Sequence, residues 1–218
     1  ILDFPKIFMN TFVIAIFTCI ISTIFVLSVA YSMSRMRFKM RKPFMNIAMI
    51  IGLFPSFMSM IAVYYILRAL NLADGAMIRV ALIIVFSAGS GAGFYVAKGF
   101  FDTISKSLDE AAIIDGATRW NVFTKITVPL SKPIIVYTIL TSFMGPWVDF
   151  IFGKVICRAD AQYYTVSIGL WKMLEKEYID SWYTCFAAGA VVVSIPIAIL
   201  FLMTQKFYVE GMTGAVKG

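Results

Sequence analysis

Histidine does not occur once in the 218 residues, cysteine occurs three times, and charged side chains make up only 14%. The missing histidine removes Ser-His and Cys-His nucleophile activation, HExxH zinc sites and axial haem ligands together. Cys19, Cys157 and Cys185 are scattered, with no CxxC pair and no basis for a disulfide framework. Cys19 and Cys185 stand in apolar stretches, where a small buried hydrophobe is expected. No GxxxxGK[ST] loop is present, so the chain cannot hydrolyse ATP by that route. Scarce charge excludes more. Soluble domains carry about 25% charged and 45–50% apolar residues, whereas 61% of this chain is hydrophobic. That leaves too little polar surface to coat a water-soluble globule and too much apolar surface for disorder. The membrane class remains.

What the chain has instead is long uncharged runs. Cutting the sequence at its charges leaves five windows, 7–34, 43–67, 80–97, 133–148 and 181–205. A spanning helix takes about 20 apolar residues, and Phe150, Ile151 and Phe152 extend the fourth window past Asp149. An all-α membrane protein is expected, a polytopic bundle forming one domain over 1–218. Its five spans fall near 12–34, 44–67, 78–98, 133–153 and 182–206.

Lys and Arg orient these spans. The connections after the first and third spans and the C-terminal end hold 12 basic and five acidic residues; the other polar segments hold seven of each. The excess belongs on the cytoplasmic face. It accounts for the net charge of +7 without nucleic acid, and it puts the N-terminus outside and the C-terminus inside. The sequence starts at Ile1 with no basic signal-peptide region, so an earlier span, and six in the intact chain, are expected.

The polar islands carry the remaining information. Residues 35–42 form a basic hairpin suited to a membrane surface. The extracytoplasmic loop 154–181 mixes charge with Tyr163, Tyr164, Trp171 and Tyr178, which suits either interfacial anchoring or contact with a partner. The cytoplasmic segment 101–132 is too polar to lie in the membrane and too patterned to be slack. Ile104, Leu108 and Ala111 make a helical stripe, and Ser107 with Glu110 has capping-box spacing, Thr103 being the alternative start. Gly116 stops the helix. Trp120, Phe123 and Ile126 make a second apolar face, which Pro129 and Pro133 close before the next span. Two short helices with a glycine break, stiffly joined to two spans, can transmit force.

The run Glu110-Ala111-Ala112, Asp115-Gly116-Ala117, Phe123, Ile126, Val128-Pro129 and Pro133 resembles the EAA signature of permease subunits of binding-protein-dependent ABC importers. The similarity continues through LFPSFMSMIAVYYILRALNL, Gly99 to Thr103, Gly145 to Phe150 and the tail Gly211 to Gly218, nearly the whole chain. It points to the carbohydrate-uptake branch, of maltose and maltodextrin type. Ser105 stands where that family often has Pro, which should loosen the start of the first cytoplasmic helix, and the tail is one small residue shorter than usual.

The resemblance implies a sugar importer's permease in a prokaryotic plasma (inner) membrane, working by alternating access and not itself an enzyme. It implies a coupling helix over about 104–117 that docks in a groove of a cytosolic ATPase. Glu110 would meet a basic residue there, Ala111 and Ala112 would allow close approach, Gly116 would set the exit angle, and Asp115, Ala117 and Pro129 complete the coupling motif. Within a cytoplasmic tail 207–218, residues 211–218, with Gly211, Gly214, Lys217 and Gly218, would reach between two copies of that ATPase; a frayed terminus is the alternative. No cofactor is expected on this chain, since ATP and Mg belong to the ATPase. The partners would be a second permease, a homodimeric ATPase, an extracytoplasmic sugar-binding protein and membrane lipid.

Sugars pair hydroxyl hydrogen bonds with aromatic faces, so Ser59, Tyr64, Trp147 and Asp149 are the substrate-path candidates, with Ser56, Tyr65, Thr141 and Ser142 beside them. Gly89, Gly93 and Ala97 form a small-residue seam for close helix packing. A glycerol-phosphate permease would want cations within the spans, and a stand-alone secondary transporter would want buried ionisable groups; the windows hold neither.

Overall fold

The computed structural model describes residues 2–158 and 160–214. Twelve α-helices order themselves around the first. Helix α1 (Phe4–Arg35) starts where the Asp3 carboxylate accepts from the Lys6 amide and Pro5 occupies the first turn. Its 32 residues reach about 48 Å, more than the ~30 Å hydrocarbon core. Along its middle the buried face is mostly small and weakly polar: Asn10, Thr11, Ala15, Thr18 and Ser22 lie inward beside Ile14, while Met9, Phe17, Ile20, Ile24 and Phe25 point out; Ile7 near one end and Val26, Leu27, Tyr31 and Met33 toward the other are the larger buried side chains. That inversion is what a lipid solvent selects, because small residues let helices approach while large apolar ones face acyl chains.

Helices α2 (Arg41–Gly52) and α3 (Ser56–Ala69) replace the single span expected over 44–67. Pro55 has no N–H to give the Ile51 carbonyl, and it disfavours the helical conformation at Phe54. The chain therefore stops at Gly52 and restarts at Ser56. Helix α4 (Met77–Gly89), a 3₁₀ turn (Ser90–Gly93) and α5 (Phe94–Thr103) run as one rod, 77–103, where a span over 78–98 was expected. Gly93 and Ala97 do pack on α1: Ala97 is fully buried, and a Cβ on Gly93 would sit 3.8 Å from the Val26 side chain. A Cβ on Gly89 would meet nothing within 4 Å, and this residue lines a cleft.

The segment 101–132 holds α6 (Lys106–Ile114), α7 (Arg119–Val122), a π-helical turn (Phe123–Thr127) and α8 (Val128–Leu130). Helix α9 (Lys132–Val148) leaves it at 82°. Proline at 129 and at 133 removes two consecutive-turn amides from the ladder, and the buried Ser131 hydroxyl donates to the Thr127 carbonyl at 2.6 Å at the corner. The expected extension of this span to 153 fails: α9 ends at Val148, Asp149 turns extended, and a separate α10 (Ile151–Cys157) begins. Helix α11 (Val166–Met173) and the long α12 (Ile179–Gly214) follow.

Among the described residues three helices are long and apolar enough to cross a membrane, four if the bent pair 119–148 counts as one. Five were expected; the difference is the broken second segment. Helix α1 is the axis, packed against α4, α5 and α9, while α12 buries only 6% of its apolar window. That exposure also corrects the expectation for Cys185, which lies on an exposed face of α12; the fully buried thiol is Cys157.

The candidate coupling elbow and solute cleft

Two local features build the elbow at the basic end of α1. Ser105 caps α6, its hydroxyl accepting from the Ser107 amide at 3.3 Å. The cap is therefore neither Ser107 nor Thr103, and a serine at this position orders the helix start instead of loosening it. Ser105 sits at φ −57° and ψ 130°, the conformation an Ncap needs. At the other end Gly116 takes φ +85°. Its amide donates to the Ile113 carbonyl at 3.0 Å, and the Ala117 amide to the Ala112 carbonyl at 2.9 Å. This pair of bonds is the Schellman closure that glycine makes accessible. Thr118 then caps α7, accepting from the Asn121 amide at 3.2 Å.

The elbow is bolted to α1 from both arms. The Arg35 guanidinium pairs with Asp109 at 3.0 Å, the two side chains 5% and 13% exposed. Arg35 also donates to the Ile104 carbonyl at 2.8 Å. On the second arm the Tyr31 hydroxyl donates to the Arg119 carbonyl at 3.3 Å, and its ring lies 4.7 Å from that of Phe123. Ser34 donates to Asp102 at 2.6 Å, and Lys98 pairs with the same carboxylate. Asp109, not singled out from the sequence, is thus the residue that holds α6 in place; an acid beside the motif's Glu110 gave no hint of which would turn inward.

Of the sequence-derived coupling residues, Glu110, Ala111, Asp115, Gly116 and Pro129 are exposed and Ala112 and Ala117 half-buried. The expected apolar stripe divides: Ile104 packs on the core around α1 and α5, whereas Leu108 and Ala111 face outward with Ile114, which is 85% exposed. Trp120, 69% exposed, continues this surface. In the tail, the backbone stays helical through Gly211 and Gly214; Lys217 and Gly218 lie outside the described residues.

A cleft of about 730 Å³ opens between α1, α4, α9 and α10. Thr18, Ser90, Tyr137, Thr138, Thr141 and Ser142 give it hydroxyls, Phe86, Phe150 and Phe152 give it rings, and Asp149 is its carboxylate. Among the described residues no Lys or Arg lines it. Asp149 therefore reaches the cleft, although it also accepts from the Gly153 amide at 3.0 Å and so caps α10. The other three path candidates are elsewhere. Trp147 is 3% exposed and packs edge-on to Phe8 at 5.3 Å in the core. Tyr64 lies under the Arg158 guanidinium at 5.7 Å, and Ser59 is on the exposed side of α3. Ser90 and Tyr137 escaped sequence reading because only the 3₁₀ turn and the face of α9 decide their direction.

At the opposite end the loop after α10 is tied to α1. Asn10 donates to the Gln162 carbonyl at 2.7 Å and accepts from Arg79 at 3.0 Å, and the Val166 amide donates to Thr11 at 2.9 Å. The Arg79 guanidinium lies over the Tyr163 ring at 5.4 Å.

Residues 24–212 match the family described as the binding-protein-dependent transport system inner membrane component. The chain is 35% identical to the galactooligosaccharides transport system permease protein GanQ of Bacillus subtilis, across 100% of this chain and 76% of that protein. It is 32% identical to the maltodextrin permease protein MalD of Streptococcus pneumoniae, across 97% of this chain and 74% of that one. With the maltose/maltodextrin permease protein MalG of Escherichia coli the identity is 33%, across 87% and 64%. The fold matches the crystal structure of a bacterial ABC transporter involved in the import of the acidic polysaccharide alginate, with a TM-score of 0.76 and 26% identity, covering 94% of this chain and 75% of that one. The chain belongs to the binding-protein-dependent ABC importer permeases, and it is a multi-pass membrane protein of that family, which is not itself catalytic.

Proposed function

We propose that this chain is one of two permease subunits of an oligosaccharide importer, and that α6 couples it to a cytosolic ATPase dimer. The carrying observation is the elbow. Helix α6 is capped at both ends and ion-paired to α1, yet it turns Leu108, Ala111 and Ile114 to solvent. A rigid helix with an unpaired apolar face and an exposed Glu110 suits a groove on a partner. A push on it passes through Arg35 into α1, the axis of the bundle.

The remaining assignments follow from the same reading. The basic excess puts the elbow and the C-terminus in the cytoplasm. The anchored loop 154–181 then faces a sugar-binding protein outside. The apolar outer faces of α2, α3 and α12 suit lipid and a second permease. The cleft's hydroxyls and rings, without cations, favour a neutral sugar over an anionic one. The relatives' names divide between galactooligosaccharides and maltodextrin, so the cargo is proposed as a neutral oligosaccharide of one of these kinds.

Glu110→Lys tests the coupling. In proteoliposomes containing the whole transporter, it should abolish sugar uptake while leaving membrane insertion intact, with ATPase activity either lost or no longer stimulated by sugar. Uptake at the wild-type rate would overturn the assignment.

A further inference from the structure

The junction of α1, α6 and α7 encloses a second cavity, of about 180 Å³, and its lining is cationic. Arg35 ends α1, Arg37 and Arg41 come from the connection to α2 and its start, Lys106 opens α6, and Arg119 opens α7. Asp109 and Glu110 share the lining, but Asp109 is engaged by Arg35. Among the described residues, Arg37, Arg41, Lys106 and Arg119 make no ion pair. Cations brought together from separate segments repel one another unless an anion joins them.

An independent observation says where that anion sits. The Arg35 side chain is 5% exposed; its Nη2 donates to the Ile104 carbonyl, its Nε stands 3.0 Å from Asp109 as an ion pair without hydrogen-bond geometry, and its Nη1 has no acceptor among the described residues. Oδ1 of Asp109 is likewise buried without a donor. Buried guanidinium N–H groups are satisfied in nearly all proteins, because an unmet one forfeits its full hydration. A ligand that met both residues would present acceptor oxygens to Arg35 and a hydroxyl to Asp109. A water takes up ~30 Å³ of liquid, so the cavity has room for a phosphate with part of its hydration shell. Phe38, Met40 and Phe44, 43%, 62% and 44% exposed, alternate in sequence with the cations of the same connection and give acyl chains a surface.

We propose that this cavity binds a phosphate group, carried by the headgroup of an anionic, hydroxyl-bearing glycerophospholipid or present as free phosphate. Guanidinium forks match phosphate oxygens, and basic pockets between helices at a membrane surface are where such headgroups lodge. A bound headgroup ties α6 and the α1–α2 connection to the bilayer and relieves the repulsion between them. The inference does not rest on what α6 docks against, although Glu110 lines this cavity as well as standing on the proposed docking face; lipid binding, not transport, is what tests it.

The test uses the assembled transporter, delipidated in detergent, with dioctanoylphosphatidylglycerol, dioctanoylphosphatidylcholine and inorganic phosphate as probes and native mass spectrometry as the readout. Wild type should hold the phosphatidylglycerol, and the double variant R41Q/K106Q should bind it about thirtyfold more weakly, from the loss of two charges near the site. The charge-preserving R41K/K106R should bind within a few-fold of wild type. Both substituted side chains are unpaired and incompletely buried, so folding is not at stake. A lipid occupant shows as phosphatidylglycerol binding more tightly than inorganic phosphate; a free-phosphate occupant shows as the two competing at equal concentration. Equal binding of phosphatidylglycerol and phosphatidylcholine by wild type, or equal phosphatidylglycerol binding by wild type and R41Q/K106Q, would overturn the proposal.

Discussion

Asp109→Ala removes the carboxylate that Arg35 meets at 3.0 Å and leaves a guanidinium 5% exposed without its counter-charge. Stripping one partner from a buried pair costs about 3–5 kcal/mol, mostly the penalty of the charge left behind. Arg35 retains the Ile104 carbonyl at 2.8 Å, which puts this site near the lower figure, about 3 kcal/mol. The cost falls on the docked state of α6, because in an undocked elbow Arg35 regains water. At 1.36 kcal/mol per decade, the ratio of docked to undocked α6 should drop about 100-fold. Hydrogen–deuterium exchange of the amides of 106–114 in lipid nanodiscs reads that ratio directly, and protection there should fall by up to two orders of magnitude while α1 and α9 stay protected. The double replacement Arg35→Met with Asp109→Leu provides the control, since apolar side chains of similar volume substitute for buried pairs at little cost. It should recover most of the protection. The reasoning fails if Asp109→Ala exchanges like wild type across α6, or if the double variant is no better protected than the single one.

The caps give a second contrast. Ser105→Ala loses the bond to the Ser107 amide and should cost about 0.5–2 kcal/mol. Ser105→Pro should be close to neutral, because φ is already −57° and Ile104 before it is extended at ψ 128°, so the restricted unfolded chain offsets the lost cap. Amide exchange across the first turn of α6 separates the two. In the core, a Cβ on Gly169 would lie 3.1 Å from Ile7 Cδ1, so Gly169→Val should destabilise by about 1–3 kcal/mol, seen as a lower midpoint in thermal unfolding of the detergent-solubilised chain. At the loop end, burial and then the nearby Asp160 push the Cys157 thiol up to about 12. The folded state favours the neutral thiol, so its contribution to stability holds below the unfolded-state pKa of ~8.5 and is lost as pH rises from there toward 12. At pH 8 N-ethylmaleimide should therefore leave Cys157 unmodified until the chain is unfolded; rapid labelling of the folded protein would contradict the burial.

Composition and apolar windows are enough to predict a helical membrane bundle, and the EAA spacing is enough to locate the elbow along the chain. These signals are local or additive. Glycine at 116 has one conformational use at the end of an amphipathic stretch, and its φ of +85° is that use. What failed to show were choices settled across the bundle. Pro55 announced a bend, but whether it bends a span or ends a helix depends on packing around α2, which buries none of its residues. Asp149 was treated as a passing charge inside a span because apolar residues flank it on both sides; its carboxylate instead bonds the Gly153 amide and starts a new helix.

Trp147 shows the same limit from the functional side. An aromatic next to a carboxylate, near the end of a span, has the composition of a sugar platform. Yet α9 turns 100° per residue, so Trp147 and Val148 leave the helix on different sides, and Asp149 follows extended past its end. Val148 and Asp149 go to the cleft; Trp147 goes into the cluster of Phe8, Phe12 and Phe143. The hydroxyls at Thr138, Thr141 and Ser142, with Tyr137 beside them, lie one to three turns back on the cleft side of the same helix. The face of α9 is thus fixed by which large ring the core requires. Trp147 therefore bears on the cleft through the packing of α9 and not by lining it.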